Sequence, residues 1–120
     1  MTNAKGLEWY ERVLAKPAPP EPHSGLTEVS IEQLFAKIWS RGGISIRDRR
    51  IITIALLASQ GRAEQLRDHI RGARLGEDPL SEEEIGEILI QVAHYAGWAA
   101  GASGQAIARS VFSETRNSGG

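Results

Sequence analysis

Three side chains that could bind and transform an anion lie within one stretch of the chain, residues 45–73. They are Arg49, His69 and Arg71, interspersed with isoleucine, leucine and alanine. Arginine suits a carboxylate because its planar guanidinium can donate two parallel hydrogen bonds to it. Histidine suits proton transfer because its ordinary pKa lies close to neutral pH. The residue types therefore predict a small anionic substrate held by arginine, with His69 as general acid or base.

Further residues could complete such a site. Glu64 could orient His69 or pair with an arginine, and it could equally be a carboxylate on a helix surface. His94 and Trp98 share one face of a predicted helix, where they would form a pocket wall across a subunit boundary or pack an interface between copies. Tyr95 could donate a hydrogen bond to an oxyanion or pack in a core or interface. We predict catalytic roles for His69, His94 and Tyr95, and substrate contacts for Arg49, Arg71, Glu64 and Trp98.

The composition argues against thiol and metal chemistry. The chain has no cysteine, which excludes disulfides, thiolate ligands and thiol redox reactions. The histidines, His23, His69 and His94, form no H-x-x-x-H pair of the kind that binds zinc. We therefore expect no metal and no cofactor. His23 falls in a proline-rich segment and is expected to be exposed to solvent.

Length and charge indicate one globular domain. A chain of 120 residues is long enough for a single core, and a net charge of −1 gives no reason to expect binding to nucleic acid or an anionic membrane. No apolar run approaches the roughly 18 residues of a membrane-spanning helix, and residues 1–13 lack the apolar core of a signal peptide. We expect a cytoplasmic protein that binds neither nucleic acid nor membrane.

Apolar residues recur at helical spacing along most of the chain, and no segment shows the alternation of a strand. The sequence therefore predicts an all-α fold. Prolines concentrate in residues 16–25, which indicates an extended connector after a first helix at residues 7–15. We predict three segments: an N-terminal helical arm and connector at 1–25, a helical domain at 26–112 and a flexible tail at 113–120.

Capping patterns predict where several helices begin. In each, a serine is followed three residues later by a side chain suited to the first turn: Ser30 with Gln33, Ser45 with Asp48, and Ser81 with Glu84. Gly61 is expected to end the helix that starts after Ser45. The apolar residues between Ile51 and Ala58 cover nearly its whole circumference, so we expect this helix to be buried on most sides.

Residues 34–112 resemble the carboxymuconolactone decarboxylase family. The matching motifs, in one order along the chain, include Ile38-Trp39-Ser40-Arg41, Arg47-Asp48-Arg49, Leu66-x-x-His69-x-Arg71-Gly72-Ala73 and Val92-Ala93-x-Tyr95-Ala96-Gly97. The resemblance implies a helical domain of the alkylhydroperoxidase-D-like type in symmetric oligomers, here a homotrimer or homohexamer. The redox branch of this fold uses two cysteines before its histidine. With that histidine aligned on His69, the cysteines would fall at Arg62 and Gln65, so the redox reaction is excluded.

The resemblance also implies a reaction. The best-known member removes CO₂ from 4-carboxymuconolactone, which requires a cation for carboxylate binding, a donor at the developing dienolate oxygen and an acid for carbon. The expected function is a cofactor-independent decarboxylase, a lyase of aromatic-compound degradation. One alternative is a relative that isomerises, rearranges or dehydrates a metabolite. The other is a non-catalytic helical oligomer that binds a partner or small molecule. The pocket is expected between the helices of Arg49 and His69.

Overall fold

The computed structural model describes residues 3–118 of the chain. This part is helical and contains no strand, so the all-α prediction is confirmed. The elements are α1 (Ala4–Leu14), α2 (Gly25–Val29), a π-helix (Ser30–Trp39), α3 (Ile46–Gln60), α4 (Ala63–Leu75), α5 (Glu82–Tyr95) and α6 (Trp98–Ser118). None of the described helices is both long and apolar enough to cross a membrane.

Two of the predicted caps form. The Ser45 side chain accepts a hydrogen bond from the backbone N–H of Asp48 and begins α3. Ser81 and Glu84 form a reciprocal capping box at the start of α5. Gly61, with a φ of 69°, ends α3 in the left-handed conformation that glycine adopts without steric cost. The break between α3 and α4 is therefore set by local chemistry.

Three helix boundaries differ from the expectation. His94 and Trp98, expected on one face of a single helix, lie near the end of α5 and at the start of α6. The Ser30 cap is wrong: the helix has already begun at Gly25, and the Ser30 hydroxyl donates to the carbonyl of Thr27 instead. At the other end, α6 was expected to stop near Phe112, but it continues to Ser118, and Thr115 is buried in this extension. Residues 119 and 120 of the predicted tail lie outside the described part of the chain.

The main core lies where α3, α4, α5 and α6 meet. Leucine, isoleucine, valine and alanine fill it, as expected from the helical periodicity of the sequence. The buried side chains are Ile54, Ala58, Leu66, Ile70, Ala73, Leu80, Ile85, Ile88, Leu89, Val92, Ala108 and Val111. Burial of this apolar surface is the main force that holds the four helices together.

A second, smaller core joins α1 to the π-helix. It contains Val13 and Leu14 from α1 together with Phe35 and Trp39 from the π-helix. The first helix is therefore packed against the rest of the protein, although the sequence suggested an arm outside the evident core. The boundaries at residues 25 and 112 stay a prediction.

The α3 helix is less buried than expected. Ile54 and Ala58 lie in the main core, but Ile52 and Leu56 on the opposite side are each about half exposed, at 48% and 53%. The prediction that α3 is buried on most sides is therefore wrong for a single copy of the chain. The exposed side of α3 leaves an apolar surface next to the π-helix.

The close contact between α1 and α4 depends on Gly72. A Cβ atom added at Gly72 would lie 2.2 Å from the Val13 carbonyl oxygen, a backbone atom that cannot move alone, whereas a Cβ at Gly86 on α5 would meet nothing within 4 Å. We expect Gly72→Ala to lower the free energy of unfolding by about 1–3 kcal/mol. The matched change Gly86→Ala should raise it by about 0.5–1 kcal/mol. Thermal unfolding measures both, and equal effects would contradict this packing.

Candidate active site

A groove runs between the π-helix and α3, with a volume of about 200 Å³. We call it the Arg49 groove, and its lining consists of Leu34, Ile38, Trp39, Ile44, Arg49, Ile52 and Thr53. It lies beside the helix of Arg49, but on the side of the π-helix and not between α3 and α4 as expected. The four aliphatic side chains are each partly exposed, because no other described element covers them.

Arg49 is the charged residue of this groove. It sits in the first turn of α3, and the Ser45 cap fixes the direction in which that turn leaves the preceding loop. Its Nε atom is shielded from solvent and has no hydrogen-bond partner within the described residues. The guanidinium as a whole has no partner among the described residues, and an anion in the groove would meet its Nη groups, since Nε is shielded.

His69 reaches the groove through Trp39. The two rings are stacked, with centroids 5.9 Å apart and planes 12° from parallel, and Trp39 also lines the groove. His69 itself is not a lining residue of the groove. Within the described residues, neither of its ring nitrogens makes a hydrogen bond, so the stacking on Trp39 is what orients the imidazole.

Burial lowers the pKa of His69 to about 4. Desolvation is the largest cause, because a buried imidazolium loses its hydration. The charge of Asp68 raises this pKa, while the charges of Arg50 and Lys16 lower it further. His69 is therefore a neutral imidazole at pH 7, with one N–H donor and one nitrogen acceptor.

The structure does not bring Arg71 and Glu64 to the groove. Arg71 donates from Nη1 to the backbone carbonyl of Ala15, which follows α1, at 3.0 Å. Glu64 is exposed in the first turn of α4 and makes no hydrogen bond to His69 in the described part of the chain. The substrate contacts of Arg71 and Glu64 therefore stay predictions, and the positions of these two side chains do not support them.

The other predicted residues belong to a second depression, between α5 and α6, which we call the His94 cleft. It has a volume of about 160 Å³ and is lined by Gly86, Leu89, Ile90, Ala93, His94, Trp98, Gly101, Ala102 and Gln105. His94 shares a hydrogen bond between Nδ1 and the Ile90 carbonyl, at 2.8 Å, and its ring meets the Trp98 ring edge-on at 6.0 Å. Tyr95 is 85% exposed.

The predicted site residues thus fall into two separate places in one copy of the chain. Arg49 and Trp39 line the Arg49 groove and His69 stacks on Trp39, whereas His94 and Trp98 line the other cleft. No group of three or more histidine, aspartate or glutamate side chains in the described residues is arranged to hold a metal ion.

Comparison with known proteins identifies the family. The sequence model of the carboxymuconolactone decarboxylase family matches residues 28–110. The chain belongs to the carboxymuconolactone decarboxylase family. It is also 30% identical over 80 residues to the 4-carboxymuconolactone decarboxylase of Acinetobacter baylyi, an alignment that covers 67% of this chain and 58% of that protein. The chain thus spans less than two thirds of that relative's length.

The match with the family includes both the Arg49 groove and the His94 cleft, and it begins after α1. The carboxymuconolactone decarboxylase region therefore carries every predicted site residue. The α1 helix lies before the matched region, and it packs against the π-helix that carries Trp39 to form the smaller core.

Sequence reasoning missed Arg50, which is fully buried in this family member. Its guanidinium donates to the backbone carbonyls of Val13 at 2.8 Å and Glu77 at 2.7 Å, and burial lowers its pKa. Arg50 joins α1 to the loop before α5, and it also acts electrostatically on His69. One signal was available: Arg50 is four and eight residues before Ile54 and Ala58, on the buried stripe of α3.

The expectation for His23 is wrong. Its side chain is only 1% exposed, and Nε2 lies 2.6 Å from the Pro19 carbonyl oxygen. Since a carbonyl can only accept, Nε2 carries the proton of this hydrogen bond. This hydrogen bond joins two residues of the proline-rich connector and buries the imidazole. The composition of the segment did not predict this burial.

Proposed function

We propose that this protein is a cofactor-independent decarboxylase of an anionic, unsaturated lactone such as 4-carboxymuconolactone. The observation that carries the proposal is Arg49, a cation with an unpartnered donor in an apolar groove within the family-matched region. The name of the Acinetobacter baylyi relative supports the same reaction. The groove volume of about 200 Å³ is suited to a small metabolite.

In the proposed mechanism, Arg49 holds a substrate carboxylate and places the lactone ring against Trp39. The bond between the ring carbon and the departing carboxylate breaks, and its electron pair moves through the conjugated system onto the lactone carbonyl oxygen. Neutral His69 stacks behind Trp39 and does not line the groove, so in this mechanism the Trp39 ring moves aside when the lactone binds and His69 donates a hydrogen bond to the developing oxyanion. A preorganised donor of this kind is worth about 3–4 kcal/mol in the transition state. A proton that enters from solvent then completes the product at carbon, and CO₂ leaves.

The pKa of His69 refines the role that the sequence predicted. At about 4, this pKa leaves very little imidazolium at pH 7, so a proton-donating cation is a poor assignment. A neutral imidazole can still donate from its N–H group to an oxyanion or accept a proton at its other nitrogen. We assign His69 the donor role and keep His94 and Tyr95 as candidates for proton delivery if a second subunit brings the His94 cleft near the groove.

Exposed apolar side chains around the His94 cleft support self-association. Ile90 and Trp98, which line the His94 cleft, are exposed at 53% and 73%, and Tyr95, next to His94 in the sequence, is exposed at 85%. Apolar and aromatic side chains of this kind are typical of interfaces between proteins. We propose a symmetric homotrimer or homohexamer that covers these side chains. A cytoplasmic location also remains a proposal from the sequence.

The direct test is turnover of 4-carboxymuconolactone by the purified wild-type chain, followed by ultraviolet absorbance and CO₂ release. The proposal expects stoichiometric loss of lactone and formation of CO₂, well above the rate without protein. Loss of lactone absorbance without CO₂ would favour the alternative, an isomerisation, rearrangement or dehydration in a related metabolite. No change with folded protein would favour a non-catalytic helical binding protein.

A further inference from the structure

The Arg49 groove has a single charged side chain on its wall. The rest of the lining is the Trp39 ring, the Thr53 hydroxyl and four aliphatic side chains. The Arg49 guanidinium makes no hydrogen bond or ion pair with the described residues; because its Nε atom is shielded from solvent, a ligand carboxylate would be received at the two Nη groups. The groove therefore carries one positive charge, at Arg49, and its other walls are mostly apolar.

Other arginines of α3 and α4 are engaged elsewhere. Arg47 forms an ion pair with Glu84 on α5. Arg50 donates to backbone carbonyls at the end of α1, and Arg71 donates to the carbonyl of Ala15. None of these three guanidinium groups lines the groove. A second anionic group of a bound ligand would find no arginine partner from α3 or α4 of the same copy.

The physical consequence is a preference for one carboxylate. A guanidinium can satisfy one carboxylate with two parallel hydrogen bonds. A second carboxylate placed against Leu34, Ile38 or Ile52 would lose hydration and gain no cationic partner in return. The same wall is favourable for an uncharged ring or alkyl group.

We infer that the Arg49 groove recognises a single carboxylate of its ligand and packs the remainder against the aliphatic wall. The inference rests on the proposed function in taking this groove as the substrate site. For a dicarboxylated lactone, it assigns Arg49 to the carboxylate that the product retains. The departing carboxylate then lies against the apolar wall, where its negative charge is poorly solvated and neutral CO₂ is well accommodated. Its bonding electron pair passes to the lactone oxygen, so charge leaves the apolar region as the bond breaks.

Binding of three probes with one phenyl ring tests the inference without any need for turnover. They are 3-phenylpropanoate with one carboxylate, its neutral amide 3-phenylpropanamide, and 4-(2-carboxyethyl)benzoate with two carboxylates. Calorimetric titration of the wild-type chain should show the monocarboxylate binding at least about tenfold more tightly than the amide. The dicarboxylate should bind no more tightly than the monocarboxylate.

Two variants provide the matched comparison. Arg49→Gln should reduce the affinity for 3-phenylpropanoate to that for the amide. Arg109→Gln removes an equal charge from the exposed surface of α6, outside both depressions, and should leave the affinity unchanged. The amide should bind Arg49→Gln and wild type alike, since it does not use the charge.

Three results would overturn the inference. The first is binding of the dicarboxylate tenfold more tightly than the monocarboxylate. The second is an affinity of Arg49→Gln for the monocarboxylate equal to that of wild type. The third is no binding of any probe while NMR shift changes place a second copy of the chain on the groove. The lactone assay separates this inference from the proposed function. If the chain turns over the lactone but binds the dicarboxylate probe more tightly than the monocarboxylate, only the inference is overturned. If the probes bind as expected but the lactone is not turned over, only the decarboxylase proposal is overturned.

Discussion

Under the proposed decarboxylase function, replacing His69 with glutamine is expected to lower kcat for 4-carboxymuconolactone by about 10²–10⁴-fold. The imidazole is held by its stack on Trp39, with ring centroids 5.9 Å apart, and Trp39 in turn lines the Arg49 groove. Glutamine keeps a polar side chain of similar length but has neither the ring that stacks on Trp39 nor the imidazole N–H. The loss should fall mainly on kcat, because Arg49 continues to bind the substrate.

The pH profile distinguishes the two roles that His69 could have. If the neutral imidazole acts, kcat should stay level from pH 8 down to about 5 and fall as pH approaches its pKa of about 4. If the imidazolium acted as the acid, kcat would instead rise over the same range. A rising profile would contradict the donor role proposed for His69.

The corresponding change in the other depression is His94→Gln. His94 lines the cleft between α5 and α6, and it shares a hydrogen bond with the Ile90 carbonyl. Full activity in His69→Gln together with a large loss in His94→Gln would move the chemistry to the His94 cleft. Circular dichroism of both variants shows whether each change leaves the helices intact.

Several helix ends were predictable because they depend on residues close together in the sequence. The Ser45 and Ser81 caps and the Gly61 break each involve side chains and backbone groups within one turn. The buried stripe of α4, with Leu66 and Ile70, follows directly from helical periodicity. Such features need no knowledge of the tertiary fold.

The Ser30 cap failed for a local reason of another kind. The pattern of Ser30 and Gln33 is compatible with a helix start, but Gly25 to Val29 are already helical. Inside a helix, a serine hydroxyl is satisfied by a preceding carbonyl, here that of Thr27. A serine with a polar side chain three residues later is compatible with a helix N-terminus, but this pattern alone does not show that a helix begins there.

The arrangement of the site was less predictable because it depends on contacts between distant segments. Arg50 is stabilised by carbonyls of Val13 and Glu77, which no local pattern connects to it. Arg71 and Arg49 both lie on helices of the main core, yet one donates to the end of α1 and the other lines the groove. Residue type predicted which side chains can bind an anion, and tertiary packing decided which one is available.

Acid should destabilise the folded chain through His69, by about 3 kcal/mol between pH 6.5 and pH 4. The pKa of this imidazole falls from 6.5 to about 4 on folding, chiefly through burial. Above pH 6.5 the ring is neutral in both states and contributes no pH dependence. Between pH 6.5 and 4 the unfolded chain takes up a proton that the folded chain does not, so the free energy of unfolding falls with pH. Below pH 4 both states are protonated and this contribution levels off.

The groups around His69 support this direction. Asp68 favours the imidazolium, but it lies 3.4 Å from Lys16 and is partly neutralised by that ion pair. Lys16 and the buried Arg50 both disfavour a further positive charge. Denaturant unfolding of wild type and His69→Gln at pH 7, 6, 5 and 4 measures the contribution as the difference between the two curves. Because the other titrating groups are common to both chains, parallel curves would show that His69 is not held neutral by the fold, and with that the donor role in decarboxylation would lose its physical basis.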